Sequence, residues 1–223
     1  MSWWRIVGAI VWKDVVAEWR TKELLSAMFA LAALVILIFN LAFELRVGNV
    51  REVVPGALWV AFIFAGMLGL NRSFVLEKDR GSLDGLLLGP MDHSIIYLAK
   101  WLSNWLFISL VEALTLLLAS ALFNLNLIRA DLLLITALGT GGYAGVGTLF
   151  SVLTANTRTR EVLLPVLLFP VVMPLLLAAV KATGGLLNGD TLAEVSHWLQ
   201  ILIGFDLIFV ALAYVLFDYV VQE

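Results

Sequence analysis

Six apolar runs govern what this chain can fold into: Leu24–Phe43, Val53–Leu70, Trp101–Phe123, Leu132–Leu153, Val162–Val180 and Trp198–Val221. Each approaches the roughly 20 residues that a helix needs to cross about 30 Å of hydrocarbon. Backbone polar groups find no water there, so a spanning segment must satisfy them internally, and runs of this length do so as helices. With 62% hydrophobic and only 14% charged residues, and a mean hydropathy of +1.00, the chain lies far from the composition of a soluble domain. The fold class is an all-α integral membrane protein with six transmembrane helices.

The segment 1–23 is different. Trp4, Val7, Val11, Val15 and Trp19 are spaced to share one face, with Arg5, Lys13 and Arg20 elsewhere, as in an amphipathic helix lying at the membrane interface. It lacks the apolar core and small-residue cleavage site of a secretory signal. The reading is therefore an interfacial helix over 1–23 and a permease-like domain over 24–223. An even number of spans puts both termini on one side. Ten of the 14 basic residues fall on that side: Arg5, Lys13, Arg20, Lys22, Arg72, Lys78, Arg80, Lys100, Arg158 and Arg160, against Arg46, Arg51, Arg129 and Lys181 opposite. The positive-inside rule makes that side cytoplasmic.

The largest cytoplasmic loop, 71–100, mixes charge with an apolar stripe. Leu83, Leu86 and Leu87 fall at i, i+3 and i+4 of a short helix that Gly89-Pro90 ends. Too short to span or to bury its leucines alone, this helix is expected to dock into another protein. The loop cannot house a nucleotide-binding domain, and no G-x-x-x-x-G-K-[ST] phosphate loop occurs; Gly-Lys is absent altogether. If ATP drives the protein, another chain binds it, so the chain itself is expected not to be an enzyme.

Three features inside the spans each carry two readings. Gly139, Gly141, Gly142, Gly145 and Gly147 crowd the fourth span, fit for close helix contact or for a path. Pro165, Pro170 and Pro174 in the fifth span each remove a backbone hydrogen bond, which predicts a kinked or broken helix, either a hinge or a fixed shape. Glu112 in the third span and Asp206 in the sixth are costly in hydrocarbon, so each lines a polar path or is held by a neighbouring Ser, Thr or carbonyl, with no intramembrane Lys or Arg to pair with. Metal chemistry has no ligand set: there is no Cys, and the two histidines, His93 and His197, fall on opposite sides.

Three stretches, taken together, carry a likeness. Trp12-Lys13-Asp14 with Glu18-Trp19-Arg20-Thr21-Lys22-Glu23-Leu24 is the first. The second is Glu77-x-x-x-Gly81-x-Leu83-x-x-Leu86-Leu87-Leu88-x-Pro90 running on to Ile96-Tyr97-Leu98-x-Lys100, a loop in which Arg80 and Asp84 join Glu77, Gly81, Leu83, Leu86, Leu87 and Pro90 as expected coupling residues. The third is Thr157-Arg158-Thr159-Arg160-Glu161-Val162-Leu163-Leu164-Pro165. In this order, and with the proline-rich fifth span, the chain resembles haem exporter protein B (CcmB), the permease of the cytochrome c maturation ABC transporter, over nearly its whole length. The resemblance implies a type-2 ABC exporter-like fold whose second cytoplasmic loop carries the coupling helix, in the inner membrane of a bacterium. It implies two permease copies on two ATPase subunits that bind ATP and Mg, joined by a haem-handling membrane subunit, a small single-span protein and the haem chaperone. Haem becomes a candidate substrate, with no nucleic acid involved. Two other readings stay open: a type-2 permease for lipid, polysaccharide or drug export, and a non-transporting scaffold that couples an ATPase to the haem-handling subunit.

Overall fold

The computed structural model describes residues 3–44, 50–79, 93–155, 157 and 159–222. Among these residues are seven helices and no strand: α1 (Trp3–Thr21), α2 (Glu23–Glu44), α3 (Val50–Asp79), α4 (His93–Phe123), α5 (Ala130–Ala155), α6 (Arg160–Asn188) and α7 (Ser196–Gln222). α2 to α7 are each long and apolar enough to cross a membrane.

Local chemistry ends the helices where the chain must turn. α1 stops at Lys22, which takes a left-handed φ of 54° while its N–H bonds the Glu18 carbonyl at 2.7 Å. The buried Glu18 carboxylate then accepts the Leu25 N–H at 2.9 Å, satisfying one of the donors that the start of α2 leaves open. α6 ends in a Schellman motif. Gly189 sits at φ 105°, its N–H on the Leu186 carbonyl and the Asp190 N–H on that of Gly185. Asn124 (φ 51°) closes α4 in the same way, with Leu125 N–H on the Ser120 carbonyl.

α5 is the axis of the bundle, contacted by α3, α4, α6 and α7; α2 lies outside against α3 and α4, and α1 rests mainly on the first turns of α4. The glycines of α5 explain its position. A Cβ on Gly142 would meet Phe205 at 3.0 Å and Leu175 at 3.1 Å, and one on Gly145 would meet Val210 at 2.7 Å; on Gly139 and Gly147 it would run into Trp59 and Leu70. Lipid tails are as apolar as leucine, so helices associate here by close contact rather than by the hydrophobic effect, and small residues permit it.

Several sequence expectations change. α3 continues nine residues past Leu70 and α4 begins eight before Trp101, so 71–79 and 93–100 are helical where a loop over 71–100 is expected; α6 likewise runs on past Val180 and takes in Lys181. Hydropathy marks where hydrocarbon ends, whereas a helix ends only where capping or a breaker stops it. α6 is also unbroken through Pro165, Pro170 and Pro174. Its buried stripe is Leu164, Leu168, Val172, Leu175, Ala179 and Ala182, while Pro170 and Pro174 are exposed on the outer side. A helix wrapping a core is already stretched on that side, where a missing bond is best tolerated. α1 does not present Trp4, Val7 and Trp19 as one face: Val7 and Ile10 are buried against Ile95 and Ala99 of α4, and Trp4, Trp12 and Trp19 point away.

Candidate functional site

The seam between α4 and α5 is a ladder of aromatic donors on backbone carbonyls. Tyr97 Oη donates to the Gly145 carbonyl (3.1 Å), Trp101 Nε1 to Gly141 (2.9 Å) and Trp105 Nε1 to Ala137 (3.0 Å). Both sides step by four residues in opposite directions, as antiparallel helices require. Glycine and alanine at 137, 141 and 145 keep side chains out of the way, so a ring edge reaches the carbonyl's second lone pair. Asn104 adds a bond to Thr148 Oγ1 at 3.0 Å. The ladder welds α4 to the central helix along the N-terminal half of α4.

Glu112 and Asp206 meet α5 at neighbouring positions. Glu112, buried at 2% exposure, accepts from Thr140 Oγ1 at 2.6 and 2.7 Å through its two oxygens. One turn on, Tyr143 Oη donates to the Ile63 carbonyl of α3 at 2.8 Å. Asp206 lies over Gly141 and Gly142, where a Cβ on Gly141 would sit 3.4 Å from Oδ2, and its buried Oδ1 has no hydrogen-bond partner. The geometry thus gives Glu112 a neighbouring hydroxyl and Asp206 a glycine-lined seat.

At the other end of α4, the first two turns after the 80–92 segment are held from both flanks. Lys100 Nζ lies 2.9 Å from Asp14 Oδ2 of α1, with only 3% of its side chain exposed. Opposite, Ser94 Oγ donates to Asp218 Oδ2 (3.1 Å) and lies 3.3 Å from the Tyr214 carbonyl, and His93 Nδ1 stands 3.7 Å from Asp218 Oδ1. α1 and the end of α7 therefore clamp α4 where it emerges from the loop.

Of the expected coupling residues, Arg80, Gly81, Leu83, Asp84, Leu86, Leu87 and Pro90 lie outside the described residues, as does Arg158. Glu77 falls in the last turn of α3, and Arg160 and Glu161 open α6 after Thr159, which gives no side-chain cap. His93 and His197 begin α4 and α7, at opposite ends of the bundle, and His197 packs on Trp198 at a ring separation of 4.4 Å. Among the described residues no group of three His, Cys, Asp or Glu is placed to hold a metal ion.

The sequence profile of the CcmB protein family matches residues 5–221, which takes in all but the first and last few residues. The chain belongs to the CcmB family. It is 32% identical over 162 residues to heme exporter protein B of Pseudomonas aeruginosa, covering 70% of this chain and 71% of that protein. Similar matches are 25% over 186 residues to the Bradyrhizobium diazoefficiens protein of that name (82% and 83% covered) and 28% over 159 residues to that of Escherichia coli K12 (67% and 68% covered). For this CcmB chain, what sequence reasoning missed is the ladder and the clamp. Their signal was present: Tyr97, Trp101 and Trp105 recur every four residues opposite Ala137, Gly141 and Gly145. Lys100 was placed in a loop as one more cytoplasmic charge, yet it is a buried member of the α1–α4 contact.

Proposed function

We propose that this chain is the membrane permease of an ABC transporter acting in haem export during cytochrome c biogenesis, and that the match over residues 5–221 carries the reading. A separate ATPase binds ATP and Mg. The domain of 24–223 works as a pair with a second copy, in the bacterial inner membrane with both termini cytoplasmic, beside a haem-handling subunit, a small single-span subunit and the haem chaperone. ATP-driven motion enters at Glu77–Pro90, through Leu83, Leu86 and Leu87. It reaches the first turns of α4, which α1 and α7 grip, and passes along the aromatic ladder to α5.

The test is complementation of a strain lacking its own homologue, read as holocytochrome c yield. Leu86→Asp should lower that yield and detach the ATPase while the permease still inserts; normal co-purification with normal yield rejects coupling at this helix. Single cysteines at Asn126 and Asn188, against Ser82 and Thr157, test the orientation: only the first two should react with an impermeant thiol reagent in intact cells.

One observation favours coupling without a haem path through this chain. Of the mid-span polar groups, Glu112 is paired with Thr140 and Asn104 with Thr148, and His93 and His197 stand at the bundle ends. On this second reading His93→Ala with His197→Ala preserves holocytochrome, and Leu86→Asp accumulates haem-loaded chaperone. An empty chaperone with haem held in the cytoplasm would instead favour export of haem by this chain.

A further inference from the structure

The sequence from Trp3 to Lys22 carries four basic and two acidic side chains, a modest positive balance. The fold removes the acids from the outer surface. Asp14 is turned to Lys100, and Glu18 is buried and caps the start of α2. Arg5, Lys13, Arg20 and Lys22 are exposed, and so are Trp4, Trp12 and Trp19, at 66%, 69% and 71%. At about 100° per residue, α1 has three stripes. Val7, Ile10, Asp14 and Glu18 face the protein; Trp4, Gly8, Trp12 and Trp19 form an indole stripe; Arg5, Lys13 and Arg20 form a basic stripe beside it. Lys22 Nζ lies over the Trp19 ring, 5.9 Å from its centroid, at the end of the indole stripe.

We propose that the outer surface of α1 is a binding face for anionic phospholipid headgroups, with Trp4, Trp12 and Trp19 seated at the hydrocarbon boundary and Arg5, Arg20 and Lys22 on the phosphates. Indole rings prefer that boundary because one edge is apolar and the other carries a donor. Basic side chains at the same depth are drawn to net-negative headgroups, and the arginine fork fits phosphate oxygens two at a time. An acidic peptide would satisfy the charges but leave three indoles in water, so charge and apolar stripe together select a lipid surface. The occupant has a consequence for the rest of the molecule. Val7, Ile10 and the Asp14–Lys100 pair fix α1 to the first turns of α4, so lipid charge bears on the position of the helix that leaves the 80–92 segment.

The chain has no cysteine, and a Cβ on Gly8, in the middle of the indole stripe, meets nothing within 4 Å. Gly8→Cys in the full chain is spin-labelled and placed in nanodiscs of phosphatidylcholine alone or mixed with phosphatidylglycerol. Depth is read from the label's relative exposure to oxygen and to a water-soluble nickel chelate. The label should lie deeper with phosphatidylglycerol, and the difference should collapse at high salt and in Arg5→Gln/Arg20→Gln/Lys22→Gln; phosphatidylglycerol co-purifying with the protein should fall several-fold in that triple variant. Equal depth in the two bilayers, a difference indifferent to salt, or full phosphatidylglycerol dependence in the triple variant each overturns the proposal. The lipid and salt comparison needs only the labelled chain, and no readout involves haem, so it stands or falls apart from the transport reading.

Discussion

α5 and α6 are neighbours of similar length, each marked in the sequence by residues that disfavour helices, and the fold uses them in opposite ways. Most of α5's apolar stretch is buried (78%), against 33% of α6. On α5 the glycines are the contact surface: α3, α6 and α7 press side chains into the space a Cβ would occupy. On α6 the contact surface is an ordinary aliphatic stripe, and Pro170 and Pro174 are turned away from it. Irregular residues thus matter for packing only when their missing atoms face a neighbour.

The largest effect that would break this contrast is expected at α5. Gly145→Leu places a branched side chain against Val210, with the Tyr97 hydroxyl and Trp101 ring 3.4 and 3.5 Å from its Cβ and both pinned by the ladder. Overpacking a fixed site costs about 1–3 kcal/mol and more where nothing can shift, so thermal unfolding in detergent should show a large drop in midpoint or loss of folded protein. Wild-type stability would remove α5's claim to be the packing axis.

A smaller change is expected one layer out, where α4 reaches α5 at Glu112. Glu112→Gln keeps an acceptor for Thr140 Oγ1 and should be close to wild type, whereas Glu112→Leu removes the hydroxyl's partner at the cost of an unmade buried bond, about 1–3 kcal/mol. Thr140→Val added to Glu112→Leu should recover part of that loss. If the single Leu variant unfolds normally but abolishes holocytochrome c, Glu112 has a transport role beyond packing.

At α6 the expected effect is slight. Pro170→Ala, on the exposed side, should cause no loss of stability, since alanine is the better helix former and needs less room than the ring, and should leave holocytochrome yield unaltered, as a fixed shape requires. A normal midpoint with lost yield would instead make Pro170 a hinge. The smallest effect lies in the turn after α6, where Thr191 N–H and Oγ1 bond Glu194 Oε2 at 2.6 and 2.9 Å. These donors hold the Glu194 carboxyl below its ordinary value. A lowered folded value contributes stability that is present above the ordinary carboxylate range and is lost as pH falls through the lowered value. Glu194→Gln should remove only a slight acid-side slope in the midpoint between about pH 5 and about pH 3.

Much of this was legible in the sequence. Run length and apolar composition follow from the solvent: hydrocarbon forces helices of a set length, and no packing detail alters that. The glycine crowd on α5 announced close approach, and the aromatic spacing on α4 was there to be read, although neither named its partner. α3 outlasts its apolar run because strong helix formers such as Arg72, Leu76, Glu77 and Lys78 follow it, and hydropathy does not register them.

What the sequence by itself determined is the set of spans, a separate helix ahead of them and the charge asymmetry, since these depend on one segment and its solvent at a time. Only the tertiary structure decided which helix is central, that Lys100 and Asp14 form a buried pair 86 residues apart, that Glu112 meets Thr140, and that α1 keeps its acids inward and its bases outward. Those outcomes turn on which face of one helix meets which face of another. Periodicity gives each helix several candidate faces, and the choice among them is made by the fit of small residues, ring edges and charges across a contact that no single segment contains.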